Sequence, residues 1–195
     1  MRPRDQNKEL AIRQKAIKMI VSEGFDGLSM QKLAKKAGIS VSTIYIYFEN
    51  REDLLNKLYI EVQDKFEKDA LIGFSPNLGF ESGLWLQWKN RLKNILENPL
   101  NFQFYEQFRS SPHINNKDIK PALFRKQMTE FVANAVKNRE IKDLAPEIFW
   151  SIAYGPFYTL VKFHLTQSTM SGKSFSLTEP CLKQTFELVL AALAR

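Results

Sequence analysis

Residues 29–51 constrain this chain more than any other stretch. Met30, Leu33, Ala34 and Ala37 fall at i, i+3, i+4 and i+7, one face of a helix. Gly38 follows, where a helix stop calls for a residue that tolerates positive φ. Ser40 then offers a hydroxyl to the unpaired N–H groups of a new helix. Val41, Ile44 and Phe48 give that second helix an inward stripe, and the small Ala34 and Ala37 let the two helices cross closely. A helix, a short Gly-containing turn and a second helix is the pattern whose second member lies in a DNA major groove.

The outer face of the second helix carries the functional reading. It presents Ser42, Thr43, Ile46 and Glu49, with Tyr45 and Tyr47 at its two edges. An ordinary helical hairpin in a bundle has the same spacing, but its solvated face normally carries Lys and Glu. Hydroxyls suit base edges or phosphates, and apolar carbon suits thymine methyls.

The run Gly38-Ile39-Ser40-Val41-Ser42-Thr43-Ile44-Tyr45-Ile46-Tyr47-Phe48, followed by Asn50-Arg51-Glu52-Asp53-Leu54-Leu55, resembles the signature of the TetR family of transcriptional regulators. The resemblance is dense over residues 8–58 and thins to length and helical pattern beyond them. With the wheel, it implies that Ser42, Thr43 and Ile46 face bases. Ser29, Tyr45, Tyr47 and Arg51 are then expected on phosphates together with Lys32 or Lys36, and Ser40 completes the set. Ile46 is apolar where such regulators often carry larger polar side chains, and Glu49 brings a negative charge near the backbone. Specificity is therefore expected to lean on methyl contacts and DNA shape.

Charge agrees with a polyanionic partner. The chain has 28 Lys and Arg against 21 Asp and Glu, a net charge of +7. Residues 1–60 hold +4 of that excess, so the first third is more than twice as basic per residue as the rest. Double-stranded DNA is the expected partner. The polar start, Met-Arg-Pro-Arg-Asp-Gln-Asn-Lys, has no apolar stretch of the secretory kind. No apolar run approaches the ~20 residues that span a bilayer, so no membrane partner is expected. A lone cysteine, Cys181, fits a reducing cytoplasm. His113, His164 and Cys181 are too widely spaced for a zinc cluster, and no metal or cofactor is expected.

Along the chain, residues 1–7 read as a flexible, basic tail; a disordered end is the leading account, and Arg2 and Arg4 reaching a phosphate or the minor groove is the other. A first helix runs from Asn7 to Glu23 and stops at Gly24, with Phe25 and Leu28 as plugs beneath it. Asn50 caps a connector helix, 51–71, with Asp53 in a box-like position. Residues 73–79 are a loop. Helices are then expected over 80–97, 99–110, 121–139, 146–167 and 179–194, with Pro99, Pro121, Pro146 and Pro180 near their starts. The fold class is all-α: a three-helix DNA-binding unit, residues 1–52, and a larger helical ligand-binding and dimerisation domain, residues 53–195.

Of 24 aromatic residues, 17 lie between Phe74 and Phe175. Aromatics at helical spacing are usually core, yet this density also suits an apolar effector pocket with few polar anchors. Trp88, Phe104, Phe108, Phe124, Met128, Phe131 and Tyr158 are candidate wall residues. Gln103, Arg109 and His164 are candidate anchors. The effector, a small apolar or amphipathic molecule, is not identified by sequence. The family resemblance implies that the last two helices pair with a second copy. Ile152, Pro156, Leu160, Leu182, Phe186, Val189 and Leu193 are the candidates for that homodimer interface. Gly155-Pro156 is expected to kink its helix or bring backbones close. Ser171-Gly172-Lys173-Ser174 ends like a phosphate-binding loop, but Gln167 stands where its first glycine belongs and no strand precedes it. No catalytic constellation appears, so an enzyme is not expected. A repressor released by its ligand is the leading reading, beside a helical ligand carrier and a regulator without a small-molecule effector.

Overall fold

The computed structural model describes residues 5–111, 122–167, 169, 170 and 172–195. Among these the chain is helical: α1 Gln6–Gly27, α2 Met30–Ala37, α3 Val41–Tyr45, α4 Arg51–Ala70, α5 Phe80–Glu97, α6 Pro99–Arg109, α7 Ala122–Lys137, α8 Pro146–Thr166 and α9 Glu179–Leu193. The all-α expectation holds, and the proline-marked starts at Pro99 and Pro146 are the first helical residues. Pro121, Arg2, Arg4, His113 and Ser171 lie outside the described residues.

Packing groups the chain into two compact units, cut elsewhere than the functional division into 1–52 and 53–195 read from the sequence. One comprises residues 1–66 with 95–120, the other 67–94 with 121–195. The reason is local burial. Leu54, Leu55, Leu58, Tyr59 and Val62 of α4 share one core with α1–α3, and Phe104 and Phe108 of α6 join it.

In the first unit, Asp5 caps α1 by accepting from the Asn7 and Lys8 amides at 3.0 and 3.3 Å. Ile12, Ala16, Ile17, Met19 and Ile20 form its buried stripe. Gly24, at φ 73° and ψ 178°, breaks the helical geometry where the stop was expected. Leu28 is buried behind it, and Phe25 sets its ring edge-on to Phe108 at 5.9 Å. Tyr59 stacks on both Tyr105 and Phe108, tying α4 to α6.

The start of α4 forms the expected box. Asn50 Oδ1 accepts from the Asp53 amide at 2.8 Å, and Asp53 Oδ2 accepts from the Glu49 amide at 2.9 Å and from Lys57 Nζ at 2.8 Å. Partial burial pushes the Asp53 carboxyl up, but Lys57, the Glu49 amide and Arg13 together hold it below its ordinary 3.8. A lowered folded-state pKa means stability that is present above the unfolded value and lost as pH falls through the folded one. Asp53→Asn should therefore lose stability at neutral pH and show a shallower acid transition below about pH 4. Urea denaturation at pH 7 and pH 3 measures this; equal losses at both would show that the charge is irrelevant.

In the second unit, Trp88 is fully buried, and its Nε1 donates to the Ala153 carbonyl at 2.9 Å, fastening α5 to α8. Phe131 packs on Phe74 and Phe80. A Cβ at Gly83 would lie 2.5 Å from the Phe131 ring, so glycine permits that close approach. Glu140 Oε2 accepts from the Phe80 amide at 2.7 Å and closes the first turn of α5. Helix α9 lays Leu182, Phe186, Val189 and Leu193 inward, with Phe186 against Trp85 and Trp88. Helix α8 continues through Pro156, and Thr159 Oγ1 donates to the Gly155 carbonyl at 2.9 Å. Among the described residues, no helix is long and apolar enough to cross a membrane.

Candidate nucleic-acid interface

The stretch 29–51 folds as two short helices about a tight turn because each boundary has its own chemical cause. Ser29 accepts from the Lys32 amide at 3.2 Å and starts α2. Gly38, at φ 67° and ψ 31°, takes the left-handed conformation that ends it, and its amide returns to the Ala34 and Lys35 carbonyls. Ser40 accepts from the Thr43 amide at 3.2 Å and starts α3. Met30, Leu33, Ala34, Ile44 and Phe48 are buried, which fixes the crossing of α2 and α3.

That packing leaves an outer face. Tyr45 and Ile46 are 51% and 49% exposed, unusual for large side chains of this polarity. Ser40 and Ser42 are exposed beside them, and Thr43 is half-buried. The Ser40 hydroxyl lies 2.8 Å from those of both Ser42 and Thr43, so three hydroxyls are held together at the start of α3. Lys32 is exposed one turn into α2. Lys36 is exposed but paired with Glu23, and that pairing holds the Glu23 carboxyl below its usual value.

Two of the residues expected on phosphates are placed otherwise. Tyr47 is only 6% exposed. Its hydroxyl accepts from the Asp5 amide at 3.1 Å and donates to the Asp5 carbonyl at 3.2 Å, tethering the start of α1. Helix α3 ends at Tyr45, so residues beyond it leave the helical wheel on which Tyr47 looked peripheral. Arg51 turns back rather than outward: its Nη2 donates to the Phe25 carbonyl at 2.6 Å and its Nε to the Leu28 carbonyl at 3.0 Å. It locks the segment between α1 and α2.

The residues expected around an effector do not form one set. Phe104 and Phe108 belong to the core of the first unit. Gln103 is half-buried on the same helix, and Arg109 pairs with Glu106 and lies over the Tyr105 ring. Trp88, Met128 and Phe131 are buried in the second unit, where Phe124 and Tyr158 are half-buried. His164 Nδ1 accepts from the Leu177 amide at 3.4 Å, a tie to the segment before α9. Missed by sequence reading was Arg91 of α5, whose guanidinium lies against Phe124, Trp150 and Tyr154 and donates to the Tyr158 hydroxyl at 2.8 Å. Its position on a helix with many polar residues gave no signal of this cage.

The α9 residues named for the dimer face pack inward in the protomer. Leu182, Phe186, Val189 and Leu193 are buried within their own unit. The outward face of α9 carries Gln184, Leu188 and Ala191, with Leu188 67% exposed. On α8, Ile152, Pro156 and Leu160 are half-buried, and Ile148 is 50% exposed. The loop containing Gly172, Lys173 and Ser174 is exposed and follows a helix, not a strand. No group of metal-binding side chains occurs among the described residues.

A buried α2–turn–α3 crossing that presents hydroxyls and exposed Tyr45 and Ile46 defines a helix-turn-helix DNA-binding protein. Comparison with known proteins narrows the class. Residues 12–58 match the model of the family described as bacterial regulatory proteins, tetR family. An uncharacterized HTH-type transcriptional regulator of Haemophilus influenzae is 29% identical over 136 residues, covering 70% of this chain and 72% of that one. A fatty acid metabolism regulator protein of Bacillus subtilis is 37% identical over 59 residues, 30% of each chain. The crystal structure of a TetR family regulator from Marinobacter aquaeolei superposes with a TM-score of 0.77 at 27% identity, covering 100% of this chain and 99% of the other. Residues 12–58 are a helix-turn-helix of the TetR family, a DNA-binding one, and the chain is similar over its whole length to a TetR family regulator.

Proposed function

We propose that this regulator is a repressor that binds a pseudo-palindromic operator as a homodimer and is released by a small apolar or amphipathic ligand. The observation that carries the DNA half is the exposed face of Ser42, Tyr45 and Ile46 on a helix whose opposite side is buried. Residues 1–52 read the operator, with Ser42, Thr43 and Ile46 toward bases and Ser29, Lys32 and Tyr45 toward phosphates. Residues 53–195 dimerise and hold the ligand. Twofold symmetry in the protein matches twofold symmetry in the site. The ligand acts by binding one geometry of the dimer better than the other. The cytoplasm is the compartment in which such a protein meets both DNA and metabolites.

Selection of bound genomic fragments, followed by fluorescence anisotropy across salt and with a metabolite pool, tests this. Operator affinity should fall steeply with salt as phosphates release counterions. The metabolite pool should release the operator. Affinity that is flat across salt would overturn the DNA reading. A pool that leaves binding intact would point to a regulator without a small-molecule effector.

Ile46→Ala should cost about 1–2 kcal/mol at operators with a thymine beneath it and little on unrelated DNA. Competition between an operator and a scrambled duplex measures the ratio. Equal losses on both would remove Ile46 from sequence reading.

A further inference from the structure

We infer that the first unit carries a docking groove, between α1, α4 and the start of α6, for a small amphiphile with one carboxylate and an apolar tail. This goes beyond the effector pocket proposed above, because α1 supplies one wall. The groove fills or stays empty whether or not a ligand releases the operator.

Shape and surface come first. The groove holds about 590 Å³ and lies wholly within the first unit. Sites for small molecules span roughly 300–1,000 Å³, so the volume suits such a guest. Ile17, Leu58 and Val62 give it an apolar floor continuous with the core of the unit. Leucines that packing leaves in water stand on its walls: Leu10 of α1 is 50% exposed and Leu100 of α6 is 43% exposed. An apolar tail laid between them removes apolar surface from water on both sides at once.

Charge decides which guest. Arg13, Lys15, Lys18 and Lys65 line the groove against two carboxylates, Glu61 and Glu97. Arg13 is spent on Glu9 and Glu61. Lys15 and Lys18, three residues apart on one face of α1, are exposed and enter no ion pair among the described residues. A second copy of this face would set lysine against lysine, and a purely apolar guest leaves their charge unanswered. One carboxylate on an apolar tail answers both the floor and the rim. Because the lysines are solvated, the tail supplies most of the affinity and the head group a modest preference.

Titration calorimetry on the full chain with decanoate, decan-1-ol and decyltrimethylammonium, each below its aggregation concentration, tests the groove. Decanoate should bind about threefold or more tighter than decan-1-ol, and the cation more weakly than either. The advantage of decanoate should shrink as salt is raised. A double variant, Lys15→Gln with Lys18→Gln, changes two exposed side chains. It should bring decanoate to within about twofold of decan-1-ol and leave the alcohol's affinity unchanged. Ala11→Trp, at an exposed position on the α1 wall, should fill the groove and weaken decanoate and decan-1-ol alike by about tenfold or more. If that variant fails to fold, the lysine pair carries the test. Undiminished affinity in a folded Ala11→Trp protein would overturn the groove. So would decan-1-ol binding as tightly as decanoate, a preference that survives loss of both lysines, or no binding by decanoate. Release of the operator by the metabolite pool judges the repression reading separately.

Discussion

Arg51→Met is expected to destabilise the first unit by about 2–3 kcal/mol and to lower its Tm by roughly 8–24 °C. The Arg51 side chain spends its donors on the Phe25 and Leu28 carbonyls. Phe25 retains a second donor, the Leu28 amide at 3.1 Å, so the deficit falls mainly on the Leu28 carbonyl and on the lost charge-assisted bonds. These bonds hold the segment that follows the Gly24 break, and that segment sets where α2 begins. DNA affinity of Arg51→Met should fall only with the fraction folded. The salt slope of the folded protein should stay at the wild-type value, whereas loss of a phosphate contact would lower it by about one. Thermal denaturation and a salt series on the same preparation separate the two. An unchanged Tm with a reduced slope would restore Arg51 to the DNA surface.

Arg51 also shows where sequence reading stops. The caps at Ser29, Ser40 and Asn50 and the stops at Gly24 and Gly38 are legible because their chemistry is confined to a few neighbouring residues. The partners of Arg51 lie 23 and 26 residues back, and no local pattern announces them. Tyr47 failed for a different reason. A wheel assumes the helix continues, yet α3 has five residues, and the chain beyond Tyr45 turns the tyrosine inward toward Asp5.

The helical domain repeats the lesson at larger scale. Periodicity found α9 and its apolar stripe to within a residue, because burial of any kind produces that stripe. What periodicity does not specify is the surface against which the stripe is buried. Phe186 meets Trp85 and Trp88 of the same unit, so the strongest stripe belongs to the internal core. A weaker outward one carries the exposed Leu188. Arg91 is the converse case. A charged residue on an amphipathic helix reads as solvated, and only the convergence of α7 and α8 turns it into a caged cation.

The second large effect follows from that outward face. Gly155→Trp should yield a folded monomer and lower operator affinity by about 10²-fold or more. A Cβ built on Gly155 meets nothing within 4 Å beyond its own chain neighbours, so packing in the protomer sets no limit there; what favours glycine locally is the Pro156 ring, which crowds a Cβ on the preceding helical residue. Glycine inside a helix nevertheless costs about 0.5–1 kcal/mol relative to alanine. The proposed homodimer adds a second reason if α8 crosses its symmetry mate at Gly155-Pro156, flanked by Ile152 and Leu160: backbones then approach where a side chain would hold them apart. Gly155→Ala then separates the two demands, shifting protomer stability by no more than about 1 kcal/mol if the protomer alone matters and weakening dimerisation if the crossing is tight. Leu188→Glu is an independent probe of the same face on α9, since Leu188 is already exposed in the protomer. Once the dimer is lost, the second half-site no longer benefits from the effective concentration that tethering provides, worth about 10²–10⁴ in avidity. Phe186→Ala should behave in the opposite way, destabilising the fold by about 3–5 kcal/mol because it empties a packed core. Sedimentation velocity with operator titration distinguishes these outcomes. A Gly155→Trp protein that sediments as a dimer and binds its operator with wild-type affinity would place the subunit contact elsewhere on the molecule.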